Sequence, residues 1–423
     1  MQRCISSYPV RLLALLLLAA ICLPGKSGLA LQNPPAAGRR AAQQPAVPDS
    51  EAVARWKELT RQRRVLQKEL SNLLSNIPLG VPDPNDNQLE QIEQTRVQLN
   101  ALKIETLAAA AEAYIESPET NFLMSRDALM HLRVLMGEDD GISGFNPILA
   151  HEFAERMIAA GSKTPQFIHV ALRASIASQD FAKAREHLAQ MEALGVQTNK
   201  PFLDRLDVLT KSWQRELEFR ERDLALELPL VRIETDLGPI TIELFEDDAP
   251  NTVNSFVSLV ESGFYNNQEF FNVQAGFLAM SGCPLGNGTG NCGYSIPEET
   301  KLPTAREHVA GSLTTYHLQN QPTSSLFSLV LQPIPERNGE FTVFGRVIEG
   351  LDVLYSFPAF SPTDRMIRKQ TVKITSASML RKRPHEYKPA QMTLLDSAPA
   401  TPAPPVPVDS KEATTPPTGD GGG

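Results

Sequence analysis

The chain has 423 residues, 42% of them hydrophobic, with 49 acidic against 40 basic side chains and a formal net charge of −9. One hydrophobic core rarely serves a chain of that length, so at least two folded units are expected. The acidic balance and the absence of a basic stripe exclude a broad nucleic-acid surface, which needs concentrated positive charge against phosphates.

Residues 1–30 read as an export signal. Arg3 and Arg11 precede an apolar run from Leu12 to Leu23, and Gly28-Leu29-Ala30 offers small residues for cleavage. The run is too short to span a bilayer comfortably, so no stable membrane span is expected after cleavage, with an uncleaved anchor as the alternative. Lipidation at Cys22 is disfavoured because Ile21 before it is bulky. The expected destination is outside the cytoplasm: periplasm, cell envelope or medium.

Cys4 and Cys22 leave with such a signal, and the mature chain keeps Cys283 and Cys292. In an oxidising compartment this pair is a candidate disulfide, with two buried thiols as the alternative. Neither cysteine stands with His308 or His317 at the spacing that strong metal sites use, so no metal and no cofactor are expected.

Residues 31–48, rich in Pro, Ala and Gln, lack apolar periodicity and read as a disordered leader. A helical domain is expected over 49–222. Val53, Trp56, Leu59, Leu66, Leu70, Leu73 and Ile77 recur at helical spacing after the cap signal Pro48-Asp49-Ser50, and the pattern stops before Pro78. After a loop at 78–84, a second long helix begins near Asn85-Asp86 and runs into Ala108–Ala113, so the two can pack as an antiparallel hairpin. Further helices are predicted over 164–178 and 180–194, the second carrying Phe181, Ala184, Leu188, Met191 and Leu194 on one face and stopped by Gly195. The small residues of 174–184 suit a tetratricopeptide-type turn, though no third copy at a fixed period is found, and a plain bundle is the alternative. A last helix with Trp213, Leu217 and Phe219 leads toward a second domain over 228–380. Residues 381–423 read as a disordered Pro-rich tail.

The second domain opens with alternating apolar and polar residues on either side of a turn at 236–239, a two-stranded hairpin. A helix follows from Asp248, with Val253, Phe256, Val257 and Val260 on its apolar face. In order, the chain then reads Gly238-Pro239-Ile240-Thr241-Ile242-Glu243-Leu244, Ala249-Pro250-Asn251-Thr252-Val253, Gly263-Phe264-Tyr265, Phe270, Val273, Gly276-Phe277, Gly282, Pro284 and Thr342-Val343-Phe344-Gly345-Arg346-Val347-Ile348-Glu349-Gly350-Leu351-Asp352-Val353. This series resembles the cyclophilin-type peptidyl-prolyl isomerases across about a third of the chain. The architecture that follows is an all-α region, bundle or tetratricopeptide-like, then a closed β-barrel with flanking helices.

The resemblance implies catalysis of rotation about the X-Pro imide, whose barrier of about 18–20 kcal/mol arises from amide resonance, and partners that are proline-containing polypeptides. In that family an arginine is aimed at the imide nitrogen and a proline pocket holds the ring. Here Phe271-Asn272 stand where the family has His-Arg, Met280 stands for a carbonyl-binding glutamine, Leu326 for another glutamine, Ser328 for a pocket phenylalanine and Phe341 for a histidine. Glu336 and Arg337 replace bulky apolar residues; Phe270, Phe277 and Leu278 keep the pocket chemistry. No catalytic residue is therefore secure. The departures predict isomerase activity lost or at least about 10²-fold down, the magnitude of removing one aimed donor. Two alternatives stand beside this: a guanidinium supplied by Arg337 or Arg306, and a non-catalytic interaction scaffold.

Overall fold

The structure, a computed structural model, describes residues 49–75, 87–118, 121–138, 144–317, 323–359 and 371–393. The expected signal, leader, loop 78–84 and the end of the tail lie outside the described residues.

Helices α1 (Glu51–Ser75), α2 (Asn87–Glu116), α3 (Phe122–Leu135), α4 (Pro147–Ala159), α5 (Pro165–Ala177), α6 (Phe181–Ala193) and α7 (Lys200–Asp223) precede the first strand. Ser50 caps α1 through a bond from Val53 N–H to its Oγ (3.3 Å). Gln88 Nε2 donates to Leu73 O (3.1 Å), which places the start of α2 beside the end of α1, so the two form the expected hairpin. Trp56 at its base is buried and reaches Asp127 on α3 through its indole N–H (3.4 Å). Between α5 and α6, Gln179 takes a left-handed conformation (φ 66°) and Asp180 Oδ1 accepts the Lys183 N–H (3.0 Å). Fully buried Ala171, Ala174 and Ala184 line this turn.

The C-terminal domain is a nearly closed antiparallel barrel. Its strands are β1 (Leu230–Thr235), β2 (Gly238–Leu244), β3 (Glu269–Phe270), β4 (Asn272–Gln274), β5 (Leu278–Ser281), β6 (Ser312–Thr315), β7 (Phe327–Val330), β8 (Val343–Glu349) and β9 (Val372–Arg381), in spatial order β3-β9-β1-β2-β8-β6-β7-β5-β4. Register places Thr235 opposite Gly238, so β1 and β2 are joined by the two residues Asp236 and Leu237. Helices α8 (Pro250–Glu261) and α9 (Leu351–Tyr355) flank the sheet. Asp248, just before α8, does not cap it. Glu299 does, accepting the N–H groups of Asn251 (3.1 Å) and Thr252 (2.8 Å), because Asp248 is held elsewhere.

What holds it is a buried ionic cluster. Arg306 donates to both oxygens of Asp223 (2.8 and 2.7 Å), to Asp248 (2.8 Å) and to Glu216 (3.4 Å), and its guanidinium lies 3.5 Å from the Phe245 ring centroid. Arg222 adds a second hold on Asp248 (2.6 Å), and Arg346 bridges Asp223 (3.2 Å) to Glu243 (2.6 Å). Glu216, Arg222 and Asp223 belong to α7, and the other members to the barrel, so the cluster fastens helix to sheet. The apolar core is likewise shared: one cluster runs from Trp56, Phe145 and Phe153 to Phe256, Phe270 and Phe344. Phe145 meets Tyr355 edge-on (5.3 Å).

The barrel also extends past residue 380, where a disordered tail was expected. Residues up to 393 fold back along it: Arg383 pairs with Asp247 (2.7 Å), Tyr387 is buried with its hydroxyl on Glu246 (3.1 Å), and Met392 bridges Ser295.

Truncating one partner of a buried ion cluster strands the others without compensation, which costs about 3–5 kcal/mol, whereas an exposed pair contributes about 0–1 kcal/mol. Arg306→Ala should accordingly lower the unfolding free energy in urea by the larger amount. Arg185→Ala, which removes an exposed pair with Asp207, should leave it within the smaller range.

Candidate functional site

The register of β4, β5, β7 and β6 sets Asn272 opposite Met280, Met280 opposite Ser328, and Ser328 opposite Thr314, one continuous row across four strands. Alternation along each strand sends Val273, Ala279, Leu329 and Leu313 into the barrel core. The row therefore faces outward. Around it Phe271, Leu278, Met280, Leu326, Val330 and Ile334 form a separate apolar cluster, with half-buried Phe277 and Tyr316 packed on it.

Asn272 turns its Nδ2 toward Met280 Sδ (3.7 Å), and its Oδ1 is buried without a hydrogen-bond partner. Ser328 Oγ, fully buried on the other side of Met280, also has none. Leu326 is buried in the apolar cluster, and Phe341 stacks on Tyr316 (5.7 Å, 24°) and leans on His317 (5.0 Å). Burial raises the Tyr316 phenol above its ordinary range. The row thus consists of a thioether flanked by an amide on one side and two hydroxyls, those of Ser328 and Thr314, on the other, with no charged donor.

The other residues singled out from sequence divide. Phe277 and Leu278 belong to the apolar cluster around the row. Phe270 does not: fully buried inside the barrel, it packs on Phe357 (4.9 Å) and Phe327 (6.2 Å), because its neighbour Phe271 takes the outward side. Glu336, on the single 3₁₀ turn Pro335–Arg337, turns away to pair with Arg205 of α7. Arg337 sits at the rim, bonded to Glu340 (2.8 Å), with its guanidinium 5.5 Å from the Phe341 centroid. Arg306 is committed to the cluster beneath α7 and supplies no charge to the groove.

Cys283 and Cys292 are both free, so the candidate disulfide is not formed. The Cys283 sulfur accepts N–H groups from Gly288 and Gly290 (both 3.2 Å), while the Cys292 sulfur contacts Ser324 Oγ (3.1 Å). Cys283 is engaged by its own loop and Cys292 by the segment carrying Ser324.

Two positioning groups carried no sequence signal. Glu298 accepts Thr315 Oγ1–H (2.9 Å) and Thr342 N–H (2.8 Å), fixing the segment that presents Phe341. His308, almost fully buried, bonds Asn338 through Nδ1 (3.0 Å) and Thr314 through Nε2 (3.1 Å), so it backs the end of the row. The turn between β4 and β5 is pressed against the helical region. A Cβ on Gly276 (φ 66°) would lie 3.0 Å from the Phe145 ring, and one on Gly137 would lie 2.9 Å from Ala275.

Residues 230–379 match the family model described as cyclophilin type peptidyl-prolyl cis-trans isomerase. A peptidyl-prolyl cis-trans isomerase of Helicobacter pylori is 41% identical over 139 residues, 32% of this chain and 84% of that protein. Peptidyl-prolyl cis-trans isomerase B of Bacillus subtilis is 41% identical over 117 residues, 28% of this chain and 81% of that protein. A crystal structure of a Cryptosporidium parvum cyclophilin type peptidyl-prolyl cis-trans isomerase in the presence of the dipeptide Ala-Pro is 27% identical, covers 36% of this chain and 99% of that one, and has a TM-score of 0.32.

Burial lowers the His308 pKa from 6.5 to about 4, against a smaller upward pull from the Asn338 bond. A depressed histidine pKa means that the unfolded chain takes up the proton first, so stability is complete above pH 6.5 and falls as the pH drops toward 4. The shift corresponds to on the order of 3 kcal/mol. His131 on α3, lowered to about 4 chiefly by burial, contributes over the same window. Urea unfolding between pH 7 and pH 4 should be shallower for His308→Gln than for the parent by about one proton. Parallel curves would contradict this assignment.

Proposed function

The chain belongs to the cyclophilin-type peptidyl-prolyl cis-trans isomerase family, and on that premise we propose that it is an exported, proline-binding member whose turnover is lost or at least about 10²-fold below an ordinary cyclophilin. Twisting the X-Pro imide breaks its resonance and leaves a lone pair on nitrogen. A donor already aimed at that nitrogen lowers the barrier without reorganising, and charge makes it stronger. Asn272 offers only a neutral amide on a shorter stem, half-turned to a thioether. Met280 and Leu326, at the positions of two glutamines, have nothing to give a substrate carbonyl.

The observation that carries this reading is the row Asn272–Met280–Ser328, apolar at its centre and without a cation. Binding is a separate matter, because the surrounding Phe277, Leu278 and Leu326 keep an apolar cluster suited to a proline ring. That cluster is compatible with the second reading, a binding scaffold that combines groove and helices. Export rests on Arg3, Arg11 and the apolar run after them, and places the clients among polypeptides outside the cytoplasm.

NMR exchange on an Ala-Pro peptide should give a rate at least about 10²-fold below that of an active cyclophilin, with peptide resonances still shifted by binding. Asn272→Arg should raise the rate by at least about tenfold, and adding Met280→Gln should raise it further. An ordinary rate in the parent protein would refute the reading.

A further inference from the structure

Helices α4 and α6 bring together side chains that the groove does not use. His151 and Glu155 stand one turn apart on α4 and so share a face. His187 reaches them from α6, with Nε2 2.6 Å from Glu155 Oε1; His151 Nε2 lies 3.7 Å from the same oxygen. The three candidate ligand atoms all lie within 4.8 Å of one another. Among the described residues no other trio of His, Cys, Asp or Glu meets this condition.

Two imidazoles on one carboxylate make an incomplete arrangement. His187 is 1% exposed, yet its Nδ1 has no hydrogen-bond partner, and the buried Nε2 of His151 has no hydrogen-bond partner either, its contact with Glu155 being too long for one. Buried polar atoms are nearly always satisfied, and an exception calls for an explanation, an ordered water or an ion among them. The ring centroids lie 6.1 Å apart, and Lys183 Nζ, 3.8 Å from Glu155, has its own partner in Glu186 (2.8 Å). A divalent ion would take a lone pair from each ring.

We propose that His151, Glu155 and His187 form a binding site for a zinc-class divalent transition-metal ion, ligated by two imidazole nitrogens and one carboxylate oxygen. Ligand atoms about 2.0–2.2 Å from zinc lie about 3.4 Å apart in a tetrahedron. The observed separations bracket that value, so small rotations of the side chains close the site. Imidazole selects zinc, copper, nickel or cobalt over calcium and magnesium, which prefer all-oxygen shells. His151 and Glu155 are only half-buried, which leaves a side open for water as a fourth ligand. The ion would tie α4 to α6 across the turn that α5 makes between them.

The test uses the full chain, freed of metal with a chelator and titrated with Zn²⁺ in competition with a chromophoric chelator. One equivalent should bind, and Co²⁺ in its place should give the visible absorption of a four-coordinate site. His151→Gln and Glu155→Gln, both at half-buried positions, should each weaken Zn²⁺ binding by at least about tenfold while the metal-free melting temperature stays near the parent's. His385→Gln, on the far strap of the barrel, should bind as the parent does. Absence of stoichiometric binding overturns the proposal, as does binding that survives both substitutions at α4.

Discussion

A guanidinium shut off from water must be neutralised where it stands, and the fold is arranged around one such group. Arg306 comes from a long loop of the barrel, yet two of its three carboxylate partners, Glu216 and Asp223, lie on α7, with the Phe245 ring beneath it. None of these charges is tolerable alone in that setting, so helix and sheet are obliged to meet in one relative position. Once α7 is fixed there, Arg205 can hold Glu336, and Ser212 and Arg215 can hold Glu307. Those two contacts set the segment carrying Ile334 and the segment carrying His308. One side of the outward groove is therefore positioned from the helical region.

The other side is positioned by the β4–β5 turn, and there the chemistry changes while the frame stays. Strand register still presents a row of side chains at the places where a substrate-gripping set would stand in a cyclophilin. The atoms at the tips are sulfur, an amide and a hydroxyl. A sheet dictates direction and spacing with no regard to what a side chain ends in, so the amide at Asn272 and the thioether at Met280 carry no penalty to the barrel.

Much of that could be read from residues alone. The alternation in β1 and β2, the two-residue turn between them and the stop at Gly195 are local signals, set by period and backbone conformation. Asn272 and Met280 stand on either side of Gly276-Phe277, which sets their frame in the chain, whereas no motif so near frames Ser328. Phe270 was misplaced because motif order does not reveal which face of a strand a residue takes. The partners of Arg306 were hidden, since charge pairing across 83 residues leaves no pattern in the chain. Tyr387 and Met392 were hidden by their basic, proline-containing surroundings, which resemble a free tail until Glu246 and Ser295 are seen opposite them. His151 and Glu155 advertise a shared helix face, but His187 joins them only through the fold.

The seam at Gly276 bears on how this protein can be taken apart. Matches to relatives begin near Leu230 and take up most of those proteins, which suggests a cassette that is cut free at the linker. Here the turn next to Phe277 has Phe145 on one side and Gly137 so near Ala275 that a Cβ on it would lie 2.9 Å away, and Tyr355 rests on the same phenylalanine. Excising the barrel at the linker would uncover an oily scar beside the groove and leave Arg306 without its helix. The helical region and the barrel in this chain share one packed seam.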